Sequence, residues 1–179
     1  MTRKDLAMGI AWMMLSIAAP AGADASAFDS AGYRIAHYRA PTRRAPNGVT
    51  RIAPQAAAML RPGVDALFID VTPVDPGAGG KPERMTIPGA HWFPESGRGG
   101  IDPAVERWLI GGVTRLTAGR ADMPVIVFCL ADCWMSWNAA RRLQRAGYRP
   151  IWWLAEGSDG WRDLGLRLEP VSPERNRPE

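Results

Sequence analysis

Apolar residues fall into short, separated runs along this chain, and their spacing predicts strands alternating with helices. Ala66-Leu67-Phe68-Ile69-Asp70-Val71, Pro124-Val125-Ile126-Val127-Phe128 and Ile151-Trp152-Trp153-Leu154 are nearly continuous apolar runs of strand length, the pattern of strands buried on both faces. Between them the period becomes helical. Val105, Trp108, Leu109, Val113 and Leu116 follow Asp102-Pro103, an N-cap with proline at the first helical position, although Gly111-Gly112 weakens the middle. Trp137 to Ala146 reads as a helix ended by Gly147, and Ser158 to Leu164 as a short one capped by Ser158 or Asp159. Pro54 to Leu60 is a further short helix, stopped by Arg61-Pro62-Gly63. The turn Ile87-Pro88-Gly89-Ala90 leads into the short run His91-Trp92-Phe93-Pro94, and the Pro/Gly-rich residues 72–86 read as loop. This order predicts an α/β domain over residues 55–168, with a small, mostly parallel sheet flanked by helices on both faces. Residues 24–54 read as an irregular lead-in, with Tyr33, Ile35 and Tyr38 packing onto the domain, and the polar tail 169–179 is expected to fray.

The N-terminus has a pattern of its own. Arg3 and Lys4 precede the apolar run Leu6 to Ala19, and Ala21-Gly22-Ala23 supplies small residues at alternate positions. A charged start, a short apolar run and an A-x-A site together predict a secretory signal peptide over residues 1–23. The run of 14 residues covers roughly 21 Å as a helix, short of the ~30 Å hydrocarbon core. A cleaved signal is therefore favoured over a membrane anchor, no stable membrane insertion is expected, and the compartment implied is the periplasm.

Composition changes little. With 179 residues, 46% apolar and 22% charged, the chain holds one ordinary domain and is neither wholly disordered nor a disulfide-dense mini-protein. The net charge is only +4, and its arginines are scattered without a basic stripe, so no nucleic-acid partner is expected.

The candidate chemistry lies with Cys129 and Cys133, the only two cysteines, in Phe128-Cys129-Leu130-Ala131-Asp132-Cys133-Trp134-Met135-Ser136. Both sit between a buried strand and the next helix, and ligands of open α/β sheets bind outside the carboxyl ends of the strands. Amides turned inward by such a loop, with the helix N-terminus behind them, stabilise thiolate over thiol. Cys129 is the better candidate nucleophile. Two other readings stand beside it. Exported proteins often carry structural disulfides, although one here would close only a tiny loop. A metal site fits poorly, since two thiolates want two further ligands and His37 and His91 are the only histidines. His91, in an apolar stretch, reads as packed, most tryptophans read as core, and the 75–84 segment reads as a plain connection.

Several of these segments resemble one family. Leu67 to Val71 is similar to the "LIDV" strand of rhodanese-like domains, and Ile87 to Ala90 to their "IPGA" element. Val125 to Cys129 resembles the strand that delivers their active cysteine. Ala146-Gly147-Tyr148 with Ile151 to Leu154, and Gly160-Trp161 to Leu166, resemble the closing "GY" and "GW…GL" elements. Within that superfamily, FCLADCWMSWNAA and EGSDGW resemble the exported CXXCW motif proteins associated with catabolism dependent on pyrroloquinoline quinone (PQQ), although three residues separate the cysteines here.

The resemblance implies that Cys129 occupies the persulfide-carrying position and that residues 130–135 cradle the transferred sulfur. Leu130, Ala131, Asp132, Trp134 and Met135 replace the usual Gly and Arg. Asp132 would repel an anionic donor, and Trp134 and Met135 would narrow the mouth. Thiol–disulfide or persulfide chemistry on a small sulfur or thiol substrate therefore fits better than thiosulfate:cyanide transfer, with Cys129 attacking and Cys133 resolving. Asp70, at a strand end, is placed to hydrogen-bond the nearby loop, although a purely structural role is the favoured reading. No cofactor is implied for the chain itself, since PQQ enters only as context. The implied partner is a periplasmic PQQ-dependent dehydrogenase or its cytochrome. The alternative is a catalytically silent rhodanese scaffold that only binds such a partner.

Overall fold

The alternation hidden inside the three apolar runs decides the architecture. The structure is a computed structural model that describes residues 27–42, 44–75 and 83–178. The expected signal peptide and the middle of the 72–86 segment lie outside those residues. In chain order the elements are β1 (Thr50–Arg51), α1 (Pro54–Ala57), β2 (Leu67–Asp70), β3 (Arg84–Thr86), β4 (His91–Trp92), α2 (Pro103–Leu116), β5 (Val125–Phe128), α3 (Trp134–Arg145), β6 (Ile151–Leu154), α4 (Gly157–Asp163) and β7 (Glu169–Val171).

Five strands form one sheet in the order β1-β6-β5-β2-β4, with parallel pairing throughout. Ile69, Val127 and Trp153 share one register row, and Asp70, Phe128 and Leu154 share the next. Successive strand residues point to opposite faces. Leu67, Ile69, Val125, Val127, Ile151 and Trp153 therefore pack with Leu109 and Val113 of α2 and Ala139 and Leu143 of α3. Phe68, Ile126, Phe128 and Leu154 pack with Ala57 of α1 and Trp161 of α4. The mostly parallel α/β sheet with helices on both faces is as expected from the sequence. Burying each large side chain contributes about 1.5–3 kcal/mol.

The glycine pair in α2 has a packing reason. A Cβ on Gly112 would lie 2.3 Å from a ring carbon of Phe93, so the helix gives up propensity for a close approach to the core. Asp102 caps this helix, its carboxylate accepting from the Ala104 amide at 2.7 Å.

Expectations are corrected at three places. Residues 84–86 are not loop, and residues 169–178 of the tail are paired and packed, not frayed. β3 pairs antiparallel with β7, Arg84 facing Val171 and Thr86 facing Glu169. Beyond β7, the Trp108 indole donates to the Arg175 carbonyl at 2.7 Å, and the Glu174 amide donates to the Trp92 carbonyl at 2.8 Å. Glu174 also meets His91 and Arg115, each at 2.6 Å. The tail thus closes the β4 edge. Second, α3 begins at Trp134, three residues before the expected start at Trp137. The Ser136 hydroxyl donates to the Cys133 carbonyl at 2.9 Å and accepts from the Trp153 indole at 3.0 Å, which pins the first turn to β6. Third, α4 starts at Gly157, so Ser158 and Asp159 lie inside it and not at its cap.

Candidate active site at the end of strand β5

Phe128 ends the strand, and the chain leaves the sheet at Cys129. Cys129 and Cys133 are joined in a disulfide, their Cα atoms 6.0 Å apart. The ring is tight because Asp132, at φ 55°, takes the left-handed conformation that turns Cys133 back toward the strand end. A second close approach holds the other side. Gly157, at φ 57°, brings the start of α4 against the Cys129 carbonyl, which accepts from the Ser158 amide at 2.9 Å. A Cβ at Gly157 would sit 2.1 Å from that oxygen. Cys133 is the N-cap residue of the 12-residue α3.

This arrangement corrects the expectation of an exposed Cys129 thiolate. Cys129 is 0% exposed and Cys133 4%, both within the α2–α3 core cluster. Two of the loop amides expected to form an anion nest are engaged inside the fold. The Ala131 amide donates to the Asp159 carboxylate at 2.9 Å, and the Trp134 amide to the Tyr38 carbonyl at 2.8 Å. These two donors hold the loop to α4 and to the lead-in and are not turned to a substrate anion.

The remaining candidate residues divide. Leu130 is half-buried and lines a recess of about 360 Å³ with Thr72, Val74, Arg84 and Trp92. Asp132 is exposed at the turn. Met135 is 2% exposed and packs in the core, because the earlier helix start rotates it inward instead of leaving it at a loop mouth. Trp134 turns to the lead-in, its indole donating to the Ala40 carbonyl at 2.8 Å and its ring lying 4.6 Å from the Arg34 guanidinium carbon.

Asp70 is fully buried beside the recess, and its carboxylate is occupied. One oxygen accepts from the Thr72 amide at 2.8 Å and the Thr72 hydroxyl at 2.6 Å. The other accepts from the Thr86 hydroxyl at 2.6 Å and pairs with Arg84 Nε at 2.8 Å. Arg84 in turn reaches the Ser158 hydroxyl at 3.2 Å. Asp70 therefore fixes β3 and the wall of the recess instead of presenting an oxygen to a ligand.

Sequence reasoning missed two participants. Asn138, fully buried on α3, accepts from the Arg34 amide at 3.0 Å and donates to the Arg34 carbonyl at 2.9 Å. It anchors the lead-in beside the cystine. An amide side chain on the buried face of a helix was the available signal. The other miss was the backbone pairing at Arg39: Tyr38 packs onto the domain as expected, but nothing in Tyr38-Arg39-Ala40 announces that the segment pairs with Cys133.

No protein-family model matches the chain, and no curated protein matches it. Solved structures are similar to it, among them the three that follow. A thiosulfate sulfurtransferase from Pseudomonas aeruginosa is 22% identical over 68% of this chain and 20% of its own, with a TM-score of 0.47. A polysulfide-sulfur transferase homodimer from Wolinella succinogenes is 18% identical over 74% of this chain and 84% of its own, at 0.46. A 3-mercaptopyruvate sulfotransferase from Escherichia coli, described as having the "rhodanese" fold, is 19% identical over 73% of this chain and 55% of its own, at 0.45. The chain thus spans about a fifth of the first of these proteins.

Proposed function

We propose that this protein is a rhodanese-like domain whose Cys129–Cys133 cystine undergoes thiol–disulfide exchange with a sulfur or thiol substrate. The observation that carries this reading is the position of the cystine. It bridges the end of a central parallel strand and the N-cap of a long helix, where a released Cys133 thiolate is stabilised by the helix N-terminus. As a staple it is weak, since chain-entropy arithmetic for so short a ring gives about 2 kcal/mol, against nearly 5 kcal/mol for a loop of about 100 residues. The order of the sulfurs reverses the one expected from sequence. Cys133, the less buried, is the sulfur an incoming thiolate meets, and Cys129 is the leaving and resolving thiol. Persulfide loading of Cys129 from a sulfane-sulfur donor requires the pair to be reduced first, because the attacking group is a thiolate.

The setting rests on the sequence resemblance and the N-terminal pattern. An exported, periplasmic protein of the CXXCW type would serve a PQQ-dependent alcohol oxidation system, with a quinoprotein dehydrogenase or its cytochrome as partner. One observation favours a second reading, a silent scaffold that binds such a partner. Both sulfurs are nearly closed to solvent.

Single-turnover kinetics separate the two readings. Oxidised protein mixed with a reduced dithiol should take up two electrons while still folded, and Cys129→Ser should capture a thiol reagent at Cys133. Cys133→Ser, which leaves the fully buried sulfur, should react at least tenfold more slowly. A folded cystine inert to every thiol would leave only the binding module.

A further inference from the structure

The lead-in crosses the cystine as an extended strap. Arg39 pairs with Cys133 in an antiparallel bridge. The Ala40 amide donates to the Asp132 carbonyl at 3.0 Å, and the Trp134 amide donates to the Tyr38 carbonyl at 2.8 Å. The two hydrogen bonds flank the Arg39–Cys133 pair, which makes it a non-hydrogen-bonded antiparallel pair. In such pairs the Cα atoms lie about 4.5 Å apart, and the two side chains stand together on one face. That separation falls inside the Cα range of about 4.4–6.8 Å that a disulfide requires. A cysteine carried at the place of Arg39 would meet Cys133 at bonding geometry. Arg39 itself is exposed, while Cys133 beneath it is 4% exposed.

We propose that the Asp132 carbonyl and Trp134 amide form a docking edge for an extended, cysteine-bearing peptide, and that Tyr38-Arg39-Ala40 occupy this edge as an internal stand-in. The inference rests on the exchange reading above and names its substrate class. The strap is tied at both flanks, by Asn138 to Arg34 and by the Trp137 indole to the Arg44 carbonyl at 3.0 Å. Its middle enters through His37, a non-glycine residue at φ 49°. Left-handed backbone costs an ordinary residue about 1–2 kcal/mol, which offsets part of the strap's docking and eases its exchange for a peptide.

The peptide thiolate attacks Cys133 Sγ, the Cys129–Cys133 bond breaks, and Cys129 leaves as a thiolate that takes a proton from water. A second peptide thiol then attacks the mixed disulfide and releases a peptide disulfide, leaving Cys133 as the second thiol. Two electrons pass from the peptide dithiol to the protein.

The test compares three reductants on the oxidised, full protein. They are dithiothreitol, a cysteine-centred eight-residue peptide, and the same peptide N-methylated at the amide that would donate to Asp132. The parent peptide should react about fivefold faster than the methylated one, the factor for one hydrogen bond of about 1 kcal/mol. Ala40→Pro, which deletes the strap's own donor, should speed the parent peptide by a similar factor. Equal rates for the two peptides would overturn the docking edge, and reaction with dithiothreitol would show the exchange reading still standing. Failure of dithiothreitol as well would bring down the exchange reading itself. As a second variant, Arg39→Cys in a glutathione buffer should shift Cys133 onto the introduced thiol, read by peptide mapping. A persisting Cys129–Cys133 bond with the introduced thiol free would contradict the geometry.

Discussion

Gly157 gives the sharpest prediction about how the cystine is held. Its φ of 57° is left-handed, and a Cβ would lie 2.1 Å from the Cys129 carbonyl oxygen, 2.7 Å from that carbonyl carbon and 2.8 Å from the Leu130 carbonyl carbon. All three neighbours are backbone, so no side chain can swing aside. In Gly157→Ala, the left-handed alanine costs about 1–2 kcal/mol. Overpacking against fixed atoms adds about 1–3 kcal/mol, and weakening of the Ser158–Cys129 hydrogen bond adds about 1 kcal/mol. The total is about 3–6 kcal/mol. For a domain of this size that lowers Tm by roughly 10 °C or more. Gly63 supplies the control, since its φ is 77° but nothing lies within 4 Å of its would-be Cβ. Gly63→Ala should cost only the conformational part, about 1–2 kcal/mol. Denaturant unfolding of both variants under non-reducing conditions is the assay. If the two substitutions cost the same, the start of α4 does not press on the cystine loop, and the reasoning fails.

Two further outcomes test the surrounding framework. Asp70→Asn removes the fully buried charge from the ion pair with the part-buried Arg84, which should destabilise the protein by about 3 kcal/mol and loosen β3 and β7 in hydrogen exchange. A cost below about 1 kcal/mol would show that Asp70 is not the hub described. On the α1–β2 turn, the Arg61 guanidinium hydrogen-bonds Asp65 and holds its carboxyl down at about 2, below the usual carboxylate range. The folded value lies below the unfolded one, so this contribution is present above about pH 4 and fades as pH falls toward 2. An NMR titration should show the low midpoint in the wild type and its return to the ordinary range in Arg61→Gln.

The fold's centre was readable because three apolar runs each bury both faces, a pattern that local residues specify alone. Phe68 and Ile69 need no distant partner to announce a central strand. The margins were not readable for the opposite reason. Arg84-Met85-Thr86 and Glu169-Pro170-Val171 become strands only by pairing with each other across the chain, and neither has an apolar rhythm. The early start of α3 depends on Ser136 meeting Trp153, a tertiary contact that no capping motif reveals. At the site, the strand-end position of Cys129 was legible. A disulfide stood among the readings open from sequence, but the closure that decides for it depended on a left-handed Asp132, and the strap on backbone pairing at Arg39, which residue types do not announce. Met135 and Asp70 were drawn into the binding set by adjacency to the loop, and the packing placed them in the core and in a closed polar cluster.

The central claim, that the cystine is a working redox pair and not a staple, meets its most direct test in an equilibrium titration against glutathione. Quenched samples would be read for the Cys129 and Cys133 thiols by mass. A reduction potential above about −300 mV, among exchangeable and regulatory pairs, is the predicted result. A potential well below that value, with the bond surviving every physiological thiol, would mark a structural disulfide and contradict the account.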